Sequence, residues 1–130
     1  MKKAALTALL ALALTAAWGA AAAAQPTGPQ HQLGFSFPTF GWVHLNEAGQ
    51  VEYVNGFNFA LGISHRTYPN GLAPGKFNFY WGWGTLVVIV PYFEGGVTYP
   101  ISLGEAGEQL LNLDLGVLYI VPYLGISAMF

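Results

Sequence analysis

Five ionisable side chains punctuate the apolar stretches of this 130-residue chain: Glu52, Arg66, Lys76, Glu94 and Asp114. All five are even-numbered. Successive side chains of an extended strand point to opposite sides, so one parity means one face. Carboxylates that share a face with an arginine and a lysine either form a substrate site or neutralise one another in a sheltered interior. Arg66 with Glu52 or Asp114 suits the second use, and we read all five as interior charges that pack and solubilise.

Other chemistry is scarce. There is no cysteine, which excludes disulfides and thiolate metal sites. His31, His44 and His65 lack the mutual spacing of a metal site, and no metal or other cofactor is expected. His31 falls in a polar leader, and the other two read as strand-end residues. The stretch "GLAPGKF" (71–77) is one residue short of a phosphate loop and has Phe77 where that loop needs Ser or Thr, so it reads as a turn. No G-x-S-x-G nucleophile motif occurs. The chain is therefore expected not to be an enzyme.

Composition narrows the class. Hydrophobic residues make up 54% of the chain and aromatics 15%, but charged residues only 8%. A soluble domain carries roughly 25% charged residues. The only basic residues are Lys2, Lys3, Arg66 and Lys76, which excludes the basic stripe of a nucleic-acid binder.

The first 24 residues read as a secretory signal peptide. "MKK" is a basic start, "AALTALLALALTAAWGAAAA" an apolar run, and an A-x-A pattern places cleavage after Ala24. Export through an inner membrane follows, leaving a mature chain of about 106 residues. Residues 25–32, "QPTGPQHQ", form a polar leader expected to be flexible. The remaining segment, 33–130, contains no amphipathic helical pattern and is one β domain.

There the signal is alternation. In 51–67, Val51, Tyr53, Phe57, Phe59, Leu61 and Ile63 oppose Glu52, Gly56, Asn58, Gly62 and Ser64. In 76–89, Phe77, Phe79, Trp81, Trp83, Val87 and Ile89 oppose Lys76, Asn78, Tyr80, Gly82 and Gly84. Leu111, Leu113, Leu115 and Val117 oppose Asn112, Asp114 and Gly116, and Leu33, Phe35, Phe37, Val43 and Leu45 oppose Gly34, Ser36, His44 and Asn46. A soluble sandwich turns its bulky face inward and covers the other with Lys, Glu and Thr. Here the other face is Gly, Ser, Asn and Ala. Glycine weakens an exposed strand, so its recurrence fits close packing inside a narrow barrel with the bulky face in lipid. Trp42, Trp81, Trp83 and the tyrosines suit interfacial girdles.

The last residues, "YLGISAMF", carry strand periodicity to the chain end. With the signal peptide and the stretches "PYFEGGVTY" and "PYLGISAMF", they make the chain resemble small bacterial outer-membrane β-barrel proteins. That resemblance implies an antiparallel up-and-down barrel, and it gives Leu124, Ile126 and Phe130 the role of an insertion signal read by the barrel-assembly machinery. It also implies an outer-membrane location with the lipid bilayer as partner.

Parity flips between 111–123 and 124–130, which places a break near 121–123 at Pro122, and another is expected near Pro91. With both breaks there are six strands: 33–46, 51–67, 76–90, 92–102, 109–121 and 123–130. Without them there are four. Outer-membrane barrels have eight or more, so the expectation is six to eight strands in a compact barrel, or four to six per chain pooled in a homo-oligomer. The leading function is a non-enzymatic integral outer-membrane barrel with a structural or loop-presenting role. The alternatives are a soluble periplasmic barrel or sandwich whose aromatic faces line a ligand cavity, and an oligomeric channel.

Overall fold

A computed structural model describes residues 28–103 and 109–130. The segment 1–24 expected as a signal peptide, residues 25–27 of the expected leader, and residues 104–108 lie outside the described residues. The chain forms eight strands: β1 (His31–Phe35), β2 (Phe40–Leu45), β3 (Val51–Asn58), β4 (Gly62–Thr67), β5 (Asn78–Leu86), β6 (Val90–Leu103), β7 (Gln109–Leu118) and β8 (Val121–Met129). Each pairs antiparallel with the next, and β8 pairs with β1, so one chain closes the barrel without pooling strands from others. β1 begins at His31, inside the segment expected as leader, because the Gln30 and His31 amides both bond the Phe130 carbonyl.

The strand count exceeds six because two turns are hidden in the alternation. Opposed residues in an antiparallel pair share a face. Asn58 opposes Gly62 across the turn at 59–61. Both ends of that turn are even-numbered, so parity runs through unbroken, and residues 51–67 read as one strand but are two. The break expected near Pro91 is the turn at 87–89, where Leu86 opposes Val90 and parity again runs through. The second hidden turn lies at 36–39, which divides the expected strand 33–46. There Leu33 opposes Phe40, so parity flips. Phe40 and Trp42 face outward, while Val43 and Leu45, expected beside Leu33 and Phe35, pack against the interior cluster instead. The flip late in the chain is the two-residue turn 119–120 between Leu118 and Val121, not a break at Pro122. Pro122 and Pro91 both lie within strands, opposite Val117 and Thr85.

The turns 59–61, 87–89 and 119–120 lack Gly, Pro and Asn. Leu61, Val87, Val88 and Tyr119 take positive φ values of 60°, 47°, 71° and 55°. That region costs an L-residue about 1–2 kcal/mol, which is why these turns escape composition-based reading.

Bulky side chains cover the outside. Phe57 is 55% exposed, Trp81 42% and Leu113 44%. The aromatic faces therefore do not line an interior cavity, as the ligand-binding alternative required. Inside, Val51, Val54, Tyr68, Leu72, Tyr80, Leu110 and Met129 form an apolar cluster toward the end that carries the termini. The 68–77 loop closes that end. Its Leu72 amide bonds the Val51 carbonyl at 3.1 Å and its Gly75 amide the Pro100 carbonyl at 2.8 Å, strapping it from β3 to β6. Phe37, from the 36–39 turn, fills the opposite end against Tyr92, with ring centroids 5.4 Å apart.

Candidate functional site

Between these two layers lies a charge cluster centred on Arg66, whose side chain is 0% exposed. β4 presents Arg66 inward opposite Gly82 of β5, and Gly82 in turn opposes Glu94 of β6. The glycine leaves a gap through which the guanidinium reaches a strand two positions away. A Cβ at Gly82 would sit 2.7 Å from Glu94 Oε1. Arg66 Nε donates to Glu94 Oε1 at 2.9 Å and Nη2 to Oε2 at 3.1 Å, a two-pronged pairing that suits the planar fork of arginine. Nη1 donates to Asp114 Oδ2 at 2.6 Å, and Ser36 Oγ donates to the same oxygen at 2.7 Å.

A second row crosses the same space. Tyr80 on β5 opposes Gly96, Gly96 opposes Gly116, and Gly116 opposes Tyr123 on β8. The two rings meet over this glycine floor, with their hydroxyls 2.5 Å apart. A Cβ at Gly116 would run into the Tyr80 hydroxyl and come within 3.0 Å of Tyr123 Cζ. Tyr123 donates to Glu94 Oε2 at 2.6 Å, so its one proton is used there and Tyr80 is the donor between the tyrosines. Tyr123 also accepts from Arg66 Nη2 at 3.0 Å, and the Tyr80 ring lies 3.9 Å beneath the guanidinium carbon, in cation–π range. Tyr68, just past β4, is buried in the same interior, and burial pushes its hydroxyl above the ordinary phenol range.

Of the five charges expected inside, the structure brings Arg66, Glu94 and Asp114 together. Glu52 and Lys76 are corrections. Glu52 is the second residue of β3, skipped where the register with β2 shifts between His44 and Leu45, and it is half-exposed with His44 Nε2 3.9 Å away. Lys76 lies exposed on the 68–77 loop. Their even parity does not put them inside, because parity assigns a face only within the paired length of a strand. The sequence reading missed Tyr80, Tyr123 and Ser36. Tyr80 shares the parity of Arg66, so a polar ring on the glycine face is the signal that points to it. Leu124 and Ile126 face outward on β8. Phe130 follows that strand, stacks on His31 with centroids 5.9 Å apart, and hydrogen-bonds it in both directions along the backbone.

Outside, a ladder of rings joins β2 to β5. His44 stacks on Tyr53 at 4.4 Å, Tyr53 lies 5.3 Å from His65, and His65 5.6 Å from Trp83. His44 and His65 are thus parts of an aromatic band rather than isolated strand ends.

The cluster ties β4, β6, β7 and β8 together through ionic and hydrogen bonds. Among the described residues, no group of three or more His, Asp or Glu side chains is arranged to hold a metal ion. Compared with known protein families, with curated proteins and with solved structures, the chain matches none of them.

Proposed function

We propose that this protein is an exported, non-enzymatic β-barrel of the outer membrane, embedded in lipid and structural in role. One observation carries the reading: large apolar side chains face outward around the whole closed barrel, while the ionic pairs lie at its centre. In water that arrangement exposes far more apolar area than a monomer normally presents. In a bilayer it is the stable one, because a charge on the lipid face costs about 2–4 kcal/mol at mid-depth. Dimensions agree. The nine residues of β5, at about 3.3 Å each and a tilt of about 40°, span roughly 23 Å, close to the roughly 25 Å apolar band of such barrels. Tyr80, Tyr92 and Arg66 fill the interior, so a single chain offers no open pore. The terminal strand, with Leu124, Ile126 and Phe130, is the segment we assign to the barrel-assembly machinery. Loops long enough to present to a partner, 46–50 and 68–77, lie at the termini end.

Fractionation of a cell envelope followed by a carbonate wash tests this reading. Retention in the outer-membrane pellet supports it. Release into the aqueous phase overturns it in favour of a soluble periplasmic barrel.

A further inference from the structure

The two ends of the barrel differ in a way that membrane embedding alone does not require. The termini and the loops 46–50 and 68–77 lie at one end. Every partly or fully exposed acidic, basic or histidine side chain among the described residues lies at or toward it: His31, His44, Glu47, Glu52, His65 and Lys76. The other end, the tip, is made of the turns 36–39, 59–61, 87–89 and 119–120. Their exposed side chains are apolar, with Ile120 at 90%, Ile89 at 80% and Leu61 at 76%.

Two further features of the tip point the same way. The first is strain. Leu61, Val87, Val88 and Tyr119 occupy left-handed backbone where Gly or Asn would sit at ease. Val is among the least suited residues to that region, so apolar side chains are kept there against the preference of the backbone. The second is hydrogen bonding. The Val87 and Val88 amides bond the Ala60 and Leu61 carbonyls of the neighbouring turn at 2.7 and 3.0 Å, and the Tyr119 amide bonds the Phe93 carbonyl at 3.0 Å. Asn58 Oδ1 takes the Ala60 and Gly62 amides, and Thr39 Oγ1 takes that of Phe59. The polar side chains of the tip are used internally too: Ser36 on Asp114, Thr39 on the Ser36 carbonyl, and the Tyr119 hydroxyl on the Pro91 carbonyl. Hydrocarbon demands that they be satisfied within the protein.

We propose that the tip stays in the hydrocarbon, so that the barrel has a single water interface, at its termini end. This rests on the membrane reading above and adds to it a depth and a direction: the molecule enters tip first and does not emerge on the far side. The occupant of the tip surface is lipid acyl chain, continuous with the lipid that covers the lateral face. The ring ladder from His44 to Trp83 begins at the termini end of β2, and of the exposed rings in the tip turns, Phe59 has no polar atom and the Tyr119 hydroxyl is bonded within the protein.

Site-directed spin labelling of the mature chain tests the proposal, since the described chain has no cysteine to remove. Single variants Ile120→Cys and Ile89→Cys report on the tip. Leu113→Cys, at the middle of β7, reports on the lateral face, and Ala48→Cys on the water-exposed 46–50 loop. Each is reconstituted in phosphatidylcholine vesicles and its collision with oxygen and with a nickel chelate is measured. The expected result is that both tip labels resemble position 113 and meet the chelate at least tenfold less often than position 48. If the tip labels match position 48 while position 113 stays shielded, the tip proposal falls and the membrane reading stands. If position 113 is also open to the chelate, the membrane reading fails and takes the proposal with it. Strong spin–spin broadening between tip labels of different chains would mean that a second copy covers the tip, which also overturns the proposal.

Discussion

Arg66 and Glu94 lie on β4 and β6, strands that are not neighbours, and they meet because Gly82 of β5 has no side chain to part them. Their 2.9 Å contact is sealed from water on both sides. Removing one partner of a buried ion pair leaves the other charged and unpaired, at a cost of about 3–5 kcal/mol. We expect Arg66→Met, which leaves both Glu94 and Asp114 buried without their cation, to destabilise the folded barrel by at least that amount in urea titration in detergent micelles. The triple change Arg66→Met, Glu94→Leu and Asp114→Leu should recover most of the loss. Equal losses for the single and triple variants would show that the cluster acts through volume and not charge.

Gly116 carries the second row. An added methyl there meets the Tyr80 hydroxyl and comes within 3.0 Å of Tyr123 Cζ, both of them packed against the barrel wall. Overpacking of this kind costs about 1–3 kcal/mol. Gly116→Ala should lower the urea midpoint accordingly, and Gly116→Ala combined with Tyr80→Phe should lower it less. An unchanged midpoint in the single variant would show that the two rings shift freely.

Leu113 faces outward at the middle of β7, opposite Tyr99 of β6 and Ile126 of β8. Under the proposed function, Leu113→Arg places a charge against lipid near mid-depth, at a cost of about 2–4 kcal/mol. The expected outcome is loss of the heat-modifiable folded band from the membrane fraction, with Gln50→Arg, in a loop at the termini end, assembling as wild type. Normal assembly of Leu113→Arg would contradict the lipid assignment of this face.

Val88 holds φ at 71° in the 87–89 turn. Val88→Gly removes a left-handed penalty of about 1 kcal/mol or more. It should therefore raise the urea midpoint in micelles, one of the few truncations of this protein expected to stabilise it. A lowered midpoint would mean that contacts of the Val88 side chain outweigh the backbone strain.

The amino-acid sequence alone determined the class of fold. Few charges, dense aromatics and period-two alternation leave an all-β closed sheet as the way to bury the backbone, and glycines facing bulky residues announce a narrow interior. It also singled out five charges of one parity, Glu52, Arg66, Lys76, Glu94 and Asp114, without telling apart the three that meet. Tertiary structure alone decided the number of strands, since the turn at 59–61 joins residues of equal parity and leaves no mark in the pattern, and the turn at 36–39 divides what reads as one strand. It alone separated Glu52 and Lys76 from the interior, because a face has meaning only where a strand is paired. And it alone joined Arg66 to Glu94 and Tyr80 to Tyr123, 28 and 43 residues apart in the chain. Register across intervening glycines sets those meetings, and register is a property of the closed barrel rather than of any one strand.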